Sequence, residues 1–205
     1  YADLLRMSAA CPGNEARLGG NEAPPAIVSI FLGNTITNLL KELAEGHTFA
    51  KAARGELHTG VKSLPLLALD DSDRNRTSPF AFTGNKFEFR MVGSSQSIGL
   101  ANAVTNAIVA DVFHDFADKL EGALDVEAVV HEIIAETWRD HSRVIFNGNN
   151  YSAEWAAEAQ RRGLPNLPSM VDAAGAFIDP KNVEMFQRTK VFTSTECHAR
   201  YEIML

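Results

Sequence analysis

Six consecutive residues constrain this chain more than any others. Lys86, Phe87, Glu88, Phe89, Arg90 and Met91 alternate charged and apolar side chains one for one. Successive side chains of a strand point to opposite faces, so the alternation predicts a strand over 86–92 with one apolar face and one charged face. Gly84-Asn85 just before it supplies turn chemistry, as for a hairpin. Phe87, Phe89 and Met91 are expected to seat the strand on a core and hold the charged face rigid. A carboxylate held between two cations stays ionised at neutral pH. It then suits a hard cation such as Mg²⁺, while the flanking Lys86 and Arg90 meet anionic oxygens, the charge arrangement that phosphoryl transfer requires. A salt-bridged surface ladder has the same pattern, and the residues alone leave both readings open.

Around that strand the chain reads mostly as helix. Residues 1–25 are rich in Gly, Asn and Pro and read as loop. From Ala26 the apolar positions Ile27, Ile30, Phe31, Ile36, Leu39, Leu40 and Leu43 follow a roughly helical period, with Pro25 at the first turn and Gly46 at the close. Residues 47–74 show no clean period. They hold His47, His58, the apolar run 64–69 and the acidic turn Asp70, Asp71 and Asp73, read as a solvated loop or insertion. Beyond the strand, Ile98 to Leu120 is a long apolar helix. Asp125 is an N-cap for a helix from Val126 through Phe146, and Ser152 opens another that runs to Arg162 before Gly163. Asp179-Pro180 starts one more, and Thr193-Ser194-Thr195-Glu196 forms a capping box. The fold class is therefore α+β: a small antiparallel sheet backed by long helices.

Charge and length narrow the function classes. Asp and Glu number 26 against 19 Lys and Arg, a formal net charge of −7 over 205 residues. Such a chain lacks the positive field that nucleic acid or an anionic membrane surface demands. No apolar run approaches the roughly 18 residues of a membrane-spanning helix. Two cysteines, Cys11 and Cys197, make no disulfide framework and fit a reducing compartment. The chain opens on Tyr1 without an initiating Met and stops inside a helical pattern at Leu205, so it reads as a piece of a longer polypeptide.

Three more polar residues stand out beside Lys86, Glu88 and Arg90. Arg76 lies in the polar turn Asp73-Arg74-Asn75-Arg76-Thr77-Ser78, where pairing with the aspartates is the plain reading. Arg17 and Glu22 sit in the Gly/Asn loop of residues 13–25, which a mobile lid could carry.

These segments resemble the glutamine synthetases. Asn14-Glu15-Ala16-Arg17-Leu18-Gly19-Gly20-Asn21-Glu22-Ala23-Pro24-Pro25 is similar to their glutamate-binding loop and flap. Asn75-Arg76-Thr77-Ser78 is similar to their Asn-Arg-Ser signature, and Lys86-Phe87-Glu88-Phe89-Arg90 to their Arg-x-Glu-x-Arg strand. The longer run Arg76 to Arg90, the segment Ile145-Phe146-Asn147-Gly148-Asn149-Asn150-Tyr151 and the wide spacing over 26–74 resemble the type III branch. The resemblance covers essentially the whole chain. It implies 1–25 as substrate loop and flap, 26–74 as a type III insertion, 75–92 as the active-site strand region and 98–205 as the helical C-terminal part.

The resemblance also implies roles. Glu88 matches a metal ligand and Arg90 and Arg17 match contacts to the substrate glutamate. Arg76 matches the arginine that steadies the transferred phosphoryl group beside the nucleotide, and Glu22 the flap glutamate that closes the ammonium side and takes up its proton. Lys86 matches a position near the nucleotide phosphates that is usually Arg; lysine keeps the charge and loses the two-pronged fork. Ala81 stands where a second arginine of the pattern belongs. The implied activity is ATP-dependent joining of glutamate and ammonia with Mg²⁺ or Mn²⁺, in a cytoplasmic homo-oligomer, a dodecamer. One glutamate cannot hold two or three divalent ions, so the isolated chain is expected to be inactive. A ligase that joins glutamate to another amine, and a non-catalytic relative with a regulatory or assembly role, are the competing readings.

Overall fold

In this computed structural model, which describes residues 1–20, 22–47, 56–57, 67–68, 71–73 and 76–205, helices dominate and one small sheet carries the strand singled out above. The order is α1 (Ala2–Ser8), β1 (Ile30–Phe31), α2 (Asn34–Ala44), β2 (Glu56–Leu57), β3 (Leu67–Ala68), β4 (Phe80–Phe82), β5 (Phe87–Phe89), α3 (Gly99–Leu120), α4 (Val126–His141), α5 (Ala153–Arg161), α6 (Met170–Ala174), α7 (Pro180–Arg188) and α8 (Ser194–Met204). Short 3₁₀ turns at Ser142–Val144 and Gly175–Phe177 follow α4 and α6. Among the described residues no helix is long and apolar enough to cross a membrane. Within the expected loop 47–74, His58, Leu64, Pro65, Leu66, Leu69 and Asp70 lie outside the described residues. β2 and β3 form an antiparallel pair there, Glu56 opposite Ala68 and Leu57 opposite Leu67.

The sheet is mixed, where an antiparallel one was expected. β4 and β5 form the anticipated hairpin, Phe80 opposite Phe89, Ala81 opposite Glu88 and Phe82 opposite Phe87. β1 joins β4 in parallel, Ile30 beside Phe80 and Phe31 beside Ala81. Parallel neighbours need a long crossover, and the chain from α2 to Pro79 supplies it. The helix expected from Ala26 forms only from Asn34. Ile27 and Val28 are buried in extended chain, then Ile30–Phe31 pair in the sheet. A short apolar run fits a buried strand as well as a helix, and here sheet pairing takes it. Gly33 at φ 79° makes the turn into α2, and a Cβ there would lie 2.3 Å from the Asp71 carbonyl oxygen. The Asp71 carboxylate accepts from Thr35 N at 2.5 Å, satisfying a first-turn donor of α2.

The second half matches its signals closely. Asp125 caps α4 through Ala128 N, Asp179 caps α7 through Lys181 N, and Thr193 with Glu196 forms the capping box of α8. α4 ends at His141, before the expected Phe146, because residues 145–147 run beside β1. Phe146 N donates to Ile30 O at 2.9 Å, and Asn147 Oδ1 accepts from Leu32 N at 3.1 Å and Gly33 N at 3.0 Å. Two short helices, α1 and α6, were not anticipated. α1 buries Leu4, Leu5 and Met7, and its Arg6 reaches the Leu167 and Pro168 carbonyls at 2.8 and 3.2 Å.

The main core gathers α1, Val28, Met91, the buried stripe of α3 (Ala101, Val104, Ala107) and Phe177, Phe186 and Cys197 from the C-terminal helices. Full burial of each large apolar side chain contributes about 1.5–3 kcal/mol. Asp111 closes the α3 stripe with a charge, accepting from Arg188 Nε at 2.6 Å and from the Tyr1 hydroxyl at 2.5 Å. A second core holds Ile27, Trp155, Ala159 and Leu164, with Phe146 stacked on Trp155 at 3.9 Å. This core locks residues 145–155 to the extended chain before β1, and so fixes one wall of the site described next.

Candidate active site

Arg90 leaves the end of β5 with its side chain only 16% exposed. Its guanidinium donates to Asp73 Oδ2 at 3.0 Å and Asp73 O at 2.9 Å, and on its other edge to Glu88 Oε2 at 3.1 Å. Asp73 is buried. Its Oδ2 also accepts from Ser78 N at 2.9 Å, and its Oδ1 from Thr77 N at 3.2 Å and Thr77 Oγ1 at 3.1 Å. One carboxylate thus orients Arg90 and ties down the turn that follows Arg76. Arg76 itself is exposed and sits at φ 57°, a left-handed conformation that few non-glycine residues adopt without support.

The opposite wall comes from the loop after α1. Asn14 is buried and donates to Ala9 O at 2.7 Å and Met91 O at 3.0 Å, while its oxygen accepts from Arg17 Nε at 2.9 Å. Arg17 Nη2 also donates to Met91 O. Farther along, Leu18 bridges Ala23 and Gly19 N donates to Pro24 O at 2.9 Å, which folds Glu22 back over the entrance. The third wall is the rigid segment before α5. Asn150 is fully buried; its amide oxygen accepts from Ser29 Oγ and Trp155 Nε1 and its nitrogen donates to Thr77 O. Tyr151 follows it, and its hydroxyl donates to Glu22 O at 3.1 Å.

These walls enclose a cavity of about 230 Å³ lined by Arg17, Glu22, Arg76 and Arg90, together with Leu18, Ala23, Pro24, Pro25, Pro79, Met91 and Tyr151. Three arginines and one glutamate line a single space in a chain of net charge −7. Guanidinium forks bind carboxylate and phosphoryl oxygens with charge-assisted pairs. The cavity therefore suits a small anion, and the lone carboxylate at its mouth suits a cation.

Over its whole length the chain is 42% identical to the type-3 glutamine synthetase of Dictyostelium discoideum. It is 41% identical to a glutamine synthetase of Butyrivibrio fibrisolvens, again across 100% of the chain, and 40% identical to one of Bacteroides fragilis (strain YCH46) across 99%. Residues 129–205 match the family described as the glutamine synthetase C-terminal domain. The similarity to these glutamine synthetases runs through essentially the whole chain. The chain spans 28–29% of the length of these relatives.

Not every residue expected at the site faces the cavity. Glu88 and Lys86 do not line it. The Glu88 side chain is 36% exposed, pairs with Lys86 at 3.3 Å and Arg90 at 3.0 Å, and is held below the usual carboxylate range by its bonds to Arg90 and then Lys86. Lys86 is largely exposed. The apolar face also differs from expectation: Met91 is buried, but Phe87 is 51% exposed. Ala81, opposite Glu88, is fully buried, so that position supplies no cation.

A magnesium ion fits these residues only in part. Glu88 offers one oxygen ligand where such an ion takes six. Among the described residues the one trio of converging His, Cys, Asp or Glu groups is Glu42, Glu45 and His47, at the end of α2 and away from Glu88. The described residues do not complete a magnesium site. Asn21 and Asn75 of the sequence motifs lie outside them. Asp73, Asn14 and Asn150 hold the walls through buried hydrogen bonds, a part that the sequence did not assign to them. In the sequence Asp73 belongs to an acidic turn expected to be solvated, and no periodic signal marks it as buried.

Proposed function

We propose that the polypeptide carrying this chain is an ATP-dependent glutamate–ammonia ligase, and that residues 1–205 form part of its catalytic domain. In that reading 1–25 is the substrate loop and flap, 26–74 the type III insertion, 75–92 the active-site strand region and 98–205 the helical C-terminal part. The observation that carries it is the convergence of Arg17, Glu22, Arg76 and Arg90, far apart in sequence, on one small cavity.

The chemistry follows from the side chains. Arg17 and Arg90 hold the glutamate substrate by its carboxylates. A γ-carboxylate oxygen attacks the γ-phosphorus of ATP, the bond to ADP breaks, and γ-glutamyl phosphate forms. Arg76 meets the charge on the transferred group, with Lys86 toward the nucleotide phosphates. Ammonia then attacks the acyl carbon, phosphate leaves, and Glu22 takes the proton released from nitrogen. Closure of the Glu22 segment keeps water from the acyl phosphate. Glu88 would contribute one ligand to the Mg²⁺ or Mn²⁺ that accompanies ATP, with further donors supplied from outside the described residues. A cytoplasmic homo-oligomer, a dodecamer, completes the reading.

Phosphate release that requires glutamate, ammonia and ATP together tests it on the whole polypeptide. Arg90→Ala is expected to lower kcat/KM for glutamate about 100-fold, the scale of losing one preorganised charged contact. The 205-residue chain alone is expected to show no turnover. Wild-type polypeptide that releases no phosphate with all three substrates rejects the ligase assignment, and turnover with an alkylamine in place of ammonia redirects it to another amine.

A further inference from the structure

The Tyr151 phenol lines the cavity and spans it to the Glu22 backbone, 129 residues away in sequence. Both ends of that bond are informative. On the Glu22 side, the Leu18–Ala23 bridge and the Gly19–Pro24 bond pin the base of the loop. Among the described residues, the hydrogen bond from Tyr151 is the one drawn to Glu22 itself. On the Tyr151 side the mount is rigid. Tyr151 N donates to Asn149 Oδ1 at 2.9 Å, and the preceding Asn150 is fully buried and tied to Ser29, Trp155 and Thr77. A fixed hydroxyl therefore grips the loop whose carboxylate closes the cavity.

We infer that Tyr151 is a positioning residue, the latch that holds the Glu22 segment over the site. The inference rests on the ligase reading for its consequence: an acyl phosphate under a loosened loop meets water before ammonia. The latch also sets the height of Glu22 above the three arginines, so releasing it weakens the approach of ammonia more than that of glutamate. The bond is exposed, and water competes for both of its ends. Losing a hydrogen bond of this kind shifts the closed–open balance of the loop about threefold to tenfold.

Tyr151→Phe removes only the hydroxyl from a side chain that is 43% exposed, which leaves the ring and its packing in place. Two measurements on the whole polypeptide decide the matter. In the first, phosphate and glutamine are counted in the same reaction. The variant is expected to release about threefold to tenfold more phosphate per glutamine formed, with KM for ammonia raised more than KM for glutamate. In the second, amide hydrogen exchange of peptides covering residues 18–25 is followed without substrates, and is expected to speed up by about the same factor. A variant with wild-type exchange in 18–25 and a wild-type phosphate-to-glutamine ratio overturns the latch. Should wild-type polypeptide show no glutamate-dependent phosphate release, the ligase reading fails, while the exchange measurement still decides whether Tyr151 holds the loop.

Discussion

Asp73 illustrates how much of the cavity rests on a group that never faces it. Its carboxylate accepts from Arg90, Ser78 and Thr77, and its side chain is 2% exposed. A buried carboxylate is tolerated because a guanidinium neutralises it and backbone donors satisfy its oxygens. Asp73→Asn keeps the shape but leaves Arg90 without its buried countercharge and turns one acceptor into a donor facing other donors. With Glu88 still paired to Arg90, we expect a loss of about 2–4 kcal/mol in stability, the scale of breaking one buried charged contact. Urea denaturation of the variant measures it, and a midpoint unchanged from wild type would show that Asp73 is not the anchor. At this scale the sequence was only half readable. Arg90 and Glu88 announce themselves by strict alternation, because a strand face is a local pattern. Asp73 looks like one of three turn aspartates, since what makes it different is an arginine 17 residues away in the chain.

The elements divide along the same line. Helix starts with a cap were readable: Asp125, Asp179 and Thr193 each place an oxygen on a first-turn amide at a fixed short spacing. α1 carries no side-chain cap and is only seven residues long, so packing around Leu4 and Met7, not local signal, makes it a helix. β1 shares the apolar period that leads into α2 and becomes a strand because its neighbours come from distant segments: β4 on one side and residues 145–147 on the other. Asn147 holds that junction. It accepts from Leu32 N and Gly33 N and donates to Thr37 Oγ1 at 2.9 Å. Asn147→Ala would strand two backbone donors and one hydroxyl partner, at a cost of about 2–3 kcal/mol. Because the same contacts set the wall that carries Tyr151, the variant should also lose activity beyond its loss of stability. A kcat/KM equal to wild type at temperatures where the variant stays folded would separate the junction from the site.

Across the whole molecule the two faces of the small sheet have opposite characters. One presents Lys86, Glu88 and Arg90, paired with one another and with Asp73, beside the arginine-lined cavity. The other stacks Phe80, Phe82, Phe87 and Phe89 with ring centroids 5.4–5.8 Å apart, along an apolar groove of about 550 Å³ against α3. Phe87, Ile98 and Val109 along that groove are 51%, 62% and 44% exposed. The alternation in sequence was right about which side chains share a face, but it could not say how deeply each face is covered, because burial depends on elements that pack from far away. An apolar surface of this kind, contiguous and aromatic, attracts hydrophobic dyes and promotes association, whereas scattered single residues do not. The 205-residue chain is therefore expected to enhance the fluorescence of an anilinonaphthalene dye in its folded state. Phe87→Lys places a charge at the edge of the aromatic cluster and leaves the buried core untouched, so it should cut that signal by about half while moving the melting temperature by less than about 4 °C, the shift expected from losing one half-exposed aromatic contact. A folded wild-type chain that leaves the dye dark would mean that this face is closed in solution.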